Sequence, residues 1–189
     1  MRACILLLVL LCPAPGAAQP ESGDGSMGFL GCGVSDLKRR PFFTGFHFEQ
    51  TGPALVSGPN RTVTFRPSSQ QMKDLAELDL LVSSAGRVQQ LDLVLDRRLV
   101  EGKDTVKQVR ELTRSFLLAA VPHDDHPAIV SLASEIEKAP AGARSTQGYQ
   151  VFQGRLKLFE VKMPHTWLIL SNAPRGKGQA LVIALRPSL

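Results

Sequence analysis

The sequence predicts an α+β fold: a mainly antiparallel sheet in one domain, with two helices inserted between groups of strands. Three observations lead there. Apolar residues alternate with period two over 61–66, 78–82 and 91–95, and short apolar strands recur toward the C-terminus. A stripe at helical spacing runs through residues 106–120. Gly, Pro and Asn clusters separate the strands by tight reversals, and strands grouped on both sides of helices fit an antiparallel sheet. No motif specifies a reaction. The chain specifies instead a compartment, a fold class and a few polar sites.

Met1-Arg2 is a short positive start, Ala3 to Cys12 is an unbroken apolar run, and Pro13, Pro15 and Gly16-Ala17-Ala18 follow. This is the pattern of a secretory signal peptide cut after Ala18. Ten apolar residues make a helix of about 15 Å, too short to span ~30 Å of hydrocarbon. Leu11 stands where a lipobox needs a small residue before its cysteine, so Cys12 is not expected to carry lipid. No later apolar run approaches ~20 residues, so no transmembrane segment is expected in the mature chain. Residues 19–27 read as a flexible leader and 28–189 as a single domain. The 171 residues after the cut can bury a core without disulfide staples. They carry 21 Lys and Arg against 17 Asp and Glu, a net charge of +4. That mild excess favours anionic partners slightly and is too diffuse to argue for nucleic acid.

The elements follow in order. Met27 to Leu37 reads as a turn or short helix running into Lys38-Arg39-Arg40, a solvated charge run with no interleaved stacking aromatics. Phe46 and Phe48 are expected on one side of a strand, with His47 and Glu49 on the other. Gly52-Pro53 and Gly58-Pro59-Asn60 mark turns around a short strand at Ala54 to Val56. Val63 and Phe65 alternate with Arg61, Thr62, Thr64 and Arg66, up to Pro67. Ser68 to Glu77 reads as a loop or a short helix, polar and on the surface. Leu78, Leu80 and Val82, then Leu91, Leu93 and Leu95, form a hairpin about Gly86, which takes positive φ without a Cβ clash. Asp104 is placed to cap the helix whose stripe is Val106, Val109, Leu112, Phe116, Leu117 and Ala120. Lys107, Glu111 and Arg114 lie off that stripe, and Pro122 stops the helix. A second helix is expected from about Ala128 to Lys138. Strands follow around Leu156 to Val161, Thr166 to Leu170 and Gln179 to Leu185, with a basic turn at Asn172 to Gly178.

The densest polar cluster is His123-Asp124-Asp125-His126. Imidazole and carboxylate both suit zinc and related ions, so His123, Asp124 and His126 are candidate metal ligands. The spacing lacks the helical i, i+4 pair of His-Glu-x-x-His, and a site would need His47 or His165 as a further ligand. The alternative is a solvated connector in which Asp124 or Asp125 caps the next helix. Pro174-Arg175-Gly176-Lys177-Gly178 has the charge to hold an anion but not the spacing of a phosphate-binding loop, and reads first as a plain turn. No nucleophile elbow is present. Asp92 and Asp96 share a strand face at ~13 Å, too far apart for a glycosidase pair. Cys32, left alone once Cys4 and Cys12 depart, is a small residue between Gly31 and Gly33 or else a reactive thiol or dimer bridge. Asn60-Arg61-Thr62 meets the glycosylation rule, which matters only in a eukaryote. The expectation is therefore an exported protein, secreted or periplasmic, that binds a protein, an envelope component or a small ligand without a cofactor. The alternative is a small metal-dependent or hydrolytic enzyme built on the His/Asp loop, with a divalent metal.

Overall fold

The computed structural model describes residues 28–70, 72–96, 98, 105–130, 150–152, 155–175 and 178–188. Residues 1–27, read from the sequence as signal peptide and leader, Asp104 and most of the expected second helix lie outside them. Among the described residues the chain is mostly antiparallel sheet with few helices, broadly α+β as expected. The helices are α1 (Val34–Leu37), α2 (Pro41–Gly45) and α3 (Val106–Ala120), followed by a 3₁₀ turn at His123–Asp125. Helical residues 126–130 continue from that turn. The strands are β1 (Phe48–Gln50), β2 (Leu55–Ser57), β3 (Asn60–Pro67), β4 (Ala76–Val82), β5 (Val88–Asp96), β6 (Gln150–Phe152), β7 (Arg155–Lys162), β8 (Thr166–Arg175) and β9 (Gly178–Pro187).

All nine described strands join one sheet in the order β1-β3-β4-β5-β9-β8-β7-β6, with β2 also on β3. Every recorded pairing is antiparallel. Strands β3 to β5 form one meander and β6 to β9 another, and α3 lies in the chain between them. The second meander returns so that β9 pairs with β5, Leu93 opposite Ile183. Strands β1 and β2 share the outer edge of β3, β1 at Phe65–Pro67 and β2 at Asn60–Thr62.

The predicted hairpin is present, with Leu80 opposite Leu91 and Gly86 at φ 78°. One sheet face carries Leu78, Leu80, Val82, Leu91, Leu93, Leu95, Leu168, Leu170, Leu181 and Ile183. The helices cover it through Leu37, Phe42, Phe43, Val109, Leu112, Phe116, Leu117 and Ala120 in the same core. Lys107, Glu111 and Arg114 are exposed, as the stripe requires. Val121 turns to ψ 151° ahead of Pro122 and ends α3. Thr105 occupies the N-cap position without a side-chain cap bond.

Four expectations change. Phe46 does not share a strand with Phe48: Pro41 sits at the first turn of α2, where its fixed φ is pre-organised for helix, and Phe46 is the C-cap of that helix. His47 then takes φ 49°, and only Phe48 enters β1. The phenylalanines form an aromatic knot instead, with Phe42 5.8 Å from Phe116 and Phe43 5.3 Å from Phe65. Strand β4 begins at Ala76, inside the stretch expected to be a surface loop or short helix, and β6 had no sequence signal. Strand β5 is buried on both faces, Asp92 and Asp96 included; on the face away from the helices Val94 packs with Ala173, Ala180 and Val182 of its neighbours. The basic stretch 172–178 is mostly strand, since β8 runs to Arg175 and β9 starts at Gly178.

Candidate functional site

The His/Asp loop is set by the stop of α3. Val121 and Pro122 turn the chain, and the amide of Asp125 donates to the carbonyl of Pro122 at 3.0 Å, closing the 3₁₀ turn. In such a turn residues three apart eclipse. His123 and His126 therefore stand over one another, ring centroids 4.9 Å apart and edge to face. They line a depression open to solvent with Asp124, Pro127 and Val130. His165, in the reversal between β7 and β8, comes to the same place: its Nε2 is 3.8 Å from Asp124 Oδ2. His47 does not. It lies at the α2–β1 corner, where its carbonyl accepts from the amide of Ser68.

The two aspartates differ. The Asp124 side chain is 80% exposed and that of His165 56%, so their pair is solvated and contributes little. Asp125 is fully buried. Its Oδ1 accepts from the backbone amide of His165 at 3.4 Å, at the long end of hydrogen bonding. Its Oδ2, the Nε2 of His126 and the Oγ1 of Thr166 are buried without a protein hydrogen-bond partner. Asp125 thus ties the end of α3 to the β7–β8 reversal, where the sequence offered it as a helix cap. Among the described residues no three His, Cys, Asp or Glu side chains are arranged to hold a metal ion.

The other named residues are dispersed. Cys32 is a free, half-buried thiol. Its Sγ donates to the Gly28 carbonyl at 3.4 Å and accepts from Arg40 Nη2 at 3.3 Å, so the charge run 38–40, eight residues on, supplies a cation to the sulfur. Asn60 opens β3, opposite Ser57 across the Gly58-Pro59 turn. Arg175 is not a turn residue. Its Nη2 donates to Glu77 Oε2 at 3.2 Å, where Arg66 also donates at 2.7 Å.

Sequence reasoning missed two polar groupings on the sheet face away from the helices. The Arg66–Glu77–Arg175 network is one. The other is Asp79 directly opposite Asp92. Thr64 donates to Asp79 and Gln90 to Asp92, each at 2.6 Å. Directly opposed residues hold their Cβ atoms ~4.5–5.5 Å apart, closer than any pair along one strand face. Asp92 is only 4% exposed, which closes the pair to a substrate the size of a sugar ring. Period-two patterning put both aspartates on one face, but only the register of β4 on β5 made them neighbours. Below them, Arg98 holds the Asp96 carboxyl under the usual carboxylate range by side-chain hydrogen bonds, against the burial that pushes it up.

Few large apolar side chains are left in solvent. Among the described residues Leu55, Val56 and Val130 are the exposed ones, and the first two are adjacent on β2. No helix among the described residues is long and apolar enough to cross a membrane. Comparison with protein families, characterised proteins and solved structures finds no match to this chain.

Proposed function

We propose that the chain is an exported, non-enzymatic binding or accessory module, a single α+β domain working in the periplasm or extracellular space. Residues 1–18 support the export reading. The observation that carries the binding reading is the β2–β3 hairpin: Leu55 is 70% and Val56 79% exposed on a chain that buries nearly all its other described large apolar side chains. Successive strand residues point to opposite faces, so a strand exposed on both projects from the body. Its partner is a protein, an envelope component or a small ligand. The test is expression of the tagged full chain in an exporting bacterial host. A chain beginning at Gln19, outside the cytoplasm and in a discrete complex larger than the monomer, is the expected result. An unprocessed cytoplasmic chain ends the export reading; a processed chain that, isolated from its native source, runs only as monomer and carries no bound small molecule in a native mass spectrum ends the binding reading. A dimer through Cys32 is a special case, read as a mobility change on gels without reductant.

A second reading is a small metal-dependent or hydrolytic enzyme using His123, Asp124 and His126. What favours it is the arrival of His165 beside Asp124, with the His123 and His126 rings in contact. Metal analysis of the untagged mature protein decides it. A stoichiometric ion, lost in His123→Ala, supports the reading. A substoichiometric ion, with stability unchanged by chelation, removes it.

A further inference from the structure

We propose that the open edge of β2 docks an extended apolar segment of a partner polypeptide, which adds to it as a further strand. The proposal rests on the reading of the chain as a binding module and names the surface. Among the described residues β2 pairs with β3 alone, Leu55 opposite Thr62, Val56 opposite Arg61 and Ser57 opposite Asn60. Gly58 takes φ 59° and Pro59 follows, the pattern of a two-residue hairpin turn with glycine first. Such a loop closes on a hydrogen-bonded pair, here Ser57 and Asn60, and pairs alternate along an antiparallel ladder. Val56 therefore belongs to a non-hydrogen-bonded pair. Its N–H and C=O point away from β3, to the open side. Leu55 and Val56 flank that edge, one on each face.

Other occupants fit less well. A lipid surface would meet the polar tip Ser57-Gly58-Pro59-Asn60 first, and hydrocarbon cannot satisfy the outward N–H and C=O of Val56. Two copies joined through three-residue strands fall short of the ~1,200 Å² that stable interfaces bury. A partner segment that also covers the two faces satisfies the backbone and buries both side chains. Charged residues commonly guard exposed edges, yet none occurs from Gln50 to Asn60. Pro53 and Pro59 bracket the strand and limit the added segment to a few residues.

The probe is a fluorescent synthetic peptide of alternating Thr and Val, with a control in which Asp replaces each Val, titrated against the mature chain. Saturable binding of the first peptide alone is expected, with slower hydrogen exchange at the Val56 amide. Val56→Pro removes the outward donor without touching the β2–β3 ladder, and Val56→Asp places a charge on the edge. Each should weaken binding at least ~10-fold with an unchanged urea midpoint. Absence of saturable binding, or equal binding by both variants, overturns the proposal. So does binding to phosphatidylglycerol vesicles, or a concentration-dependent dimer, that Val56→Asp abolishes. If a native partner holds Val56→Asp as well as the parent, this edge is excluded while the binding-module reading stands.

Discussion

Asp125 and its neighbour Asp124 are chemically identical and do opposite things. Asp124 is solvated; Asp125 is fully buried and takes the His165 amide across a sequence separation of forty residues. Asp125→Ala leaves that amide without its acceptor, and a loss of about 1–3 kcal/mol in urea unfolding is expected. Asp125→Asn keeps an acceptor in place and should cost less. Asp96 gives a second test. Arg98 lowers its carboxyl in the folded state, so the ionised form contributes stability above the ordinary carboxylate pKa of about 3.9. That contribution disappears as pH falls through the lower folded value. Arg98→Ala should therefore be less stable than the parent at pH 7, and the difference should close as unfolding is repeated toward strong acid. A difference that persists unchanged in strong acid would assign Arg98 a role other than charge. Neither burial was legible in the sequence. Asp92, Asp96 and Asp125 look like the exposed aspartates around them until the sheet closes over them.

At the scale of elements, strong periodicity predicted structure well and short elements escaped it. The β4–β5 hairpin and α3 each repeat their pattern over several residues, and both occur where the pattern places them. Helix α2 has five residues, too few for a helical period, and the i, i+2 spacing of Phe46 and Phe48 just after it imitates a strand. Proline at its first position and the left-handed His47 at its exit decide the matter. The end of α3 is held from outside by a contact no pattern announces. Gly28, at φ 65°, lies against the last turn, and the amide of Phe29 donates to the Ala120 carbonyl at 2.8 Å. A Cβ on Gly28 would stand 2.6 Å from that carbonyl oxygen and 2.8 Å from the Val121 carbonyl carbon. Gly28→Ala combines a clash with backbone with a φ that L residues avoid. A loss of at least ~2 kcal/mol in urea unfolding is expected. Gly31, also at positive φ, has open space beyond it, so Gly31→Ala should cost clearly less.

The whole molecule is held by contacts between its two meanders, and one is a measure of sheet shape. Glu77 faces Val94, Val94 faces Val182, and Val182 faces Ser171. Arg175 lies four residues beyond Ser171. On a flat sheet their Cα atoms would be roughly 20 Å apart, beyond the combined reach of the two side chains. They meet at 3.2 Å, so the sheet must be strongly twisted, bringing these two corners together. The side chains are 22% and 17% exposed, so the pair is worth more than a surface bridge. Arg175→Ala should lower stability by about 1–3 kcal/mol. A double-mutant cycle with Glu77→Gln should give a clear coupling energy, where independent surface charges would give none.

The antiparallel α+β class, the β4–β5 hairpin, the buried face of α3 and its stop at Pro122 are all written in the order of residues along the chain. Each follows from local periodicity, or from the backbone restrictions of Gly and Pro, and needs no distant partner. Folding adds that β5 lies mid-sheet with both faces buried and that His165 joins the His/Asp loop. It also brings Arg175 to Glu77 and leaves Leu55 and Val56 projecting. Those outcomes depend on strand order, register and twist, which bring together residues many positions apart, and no spacing along the chain encodes them.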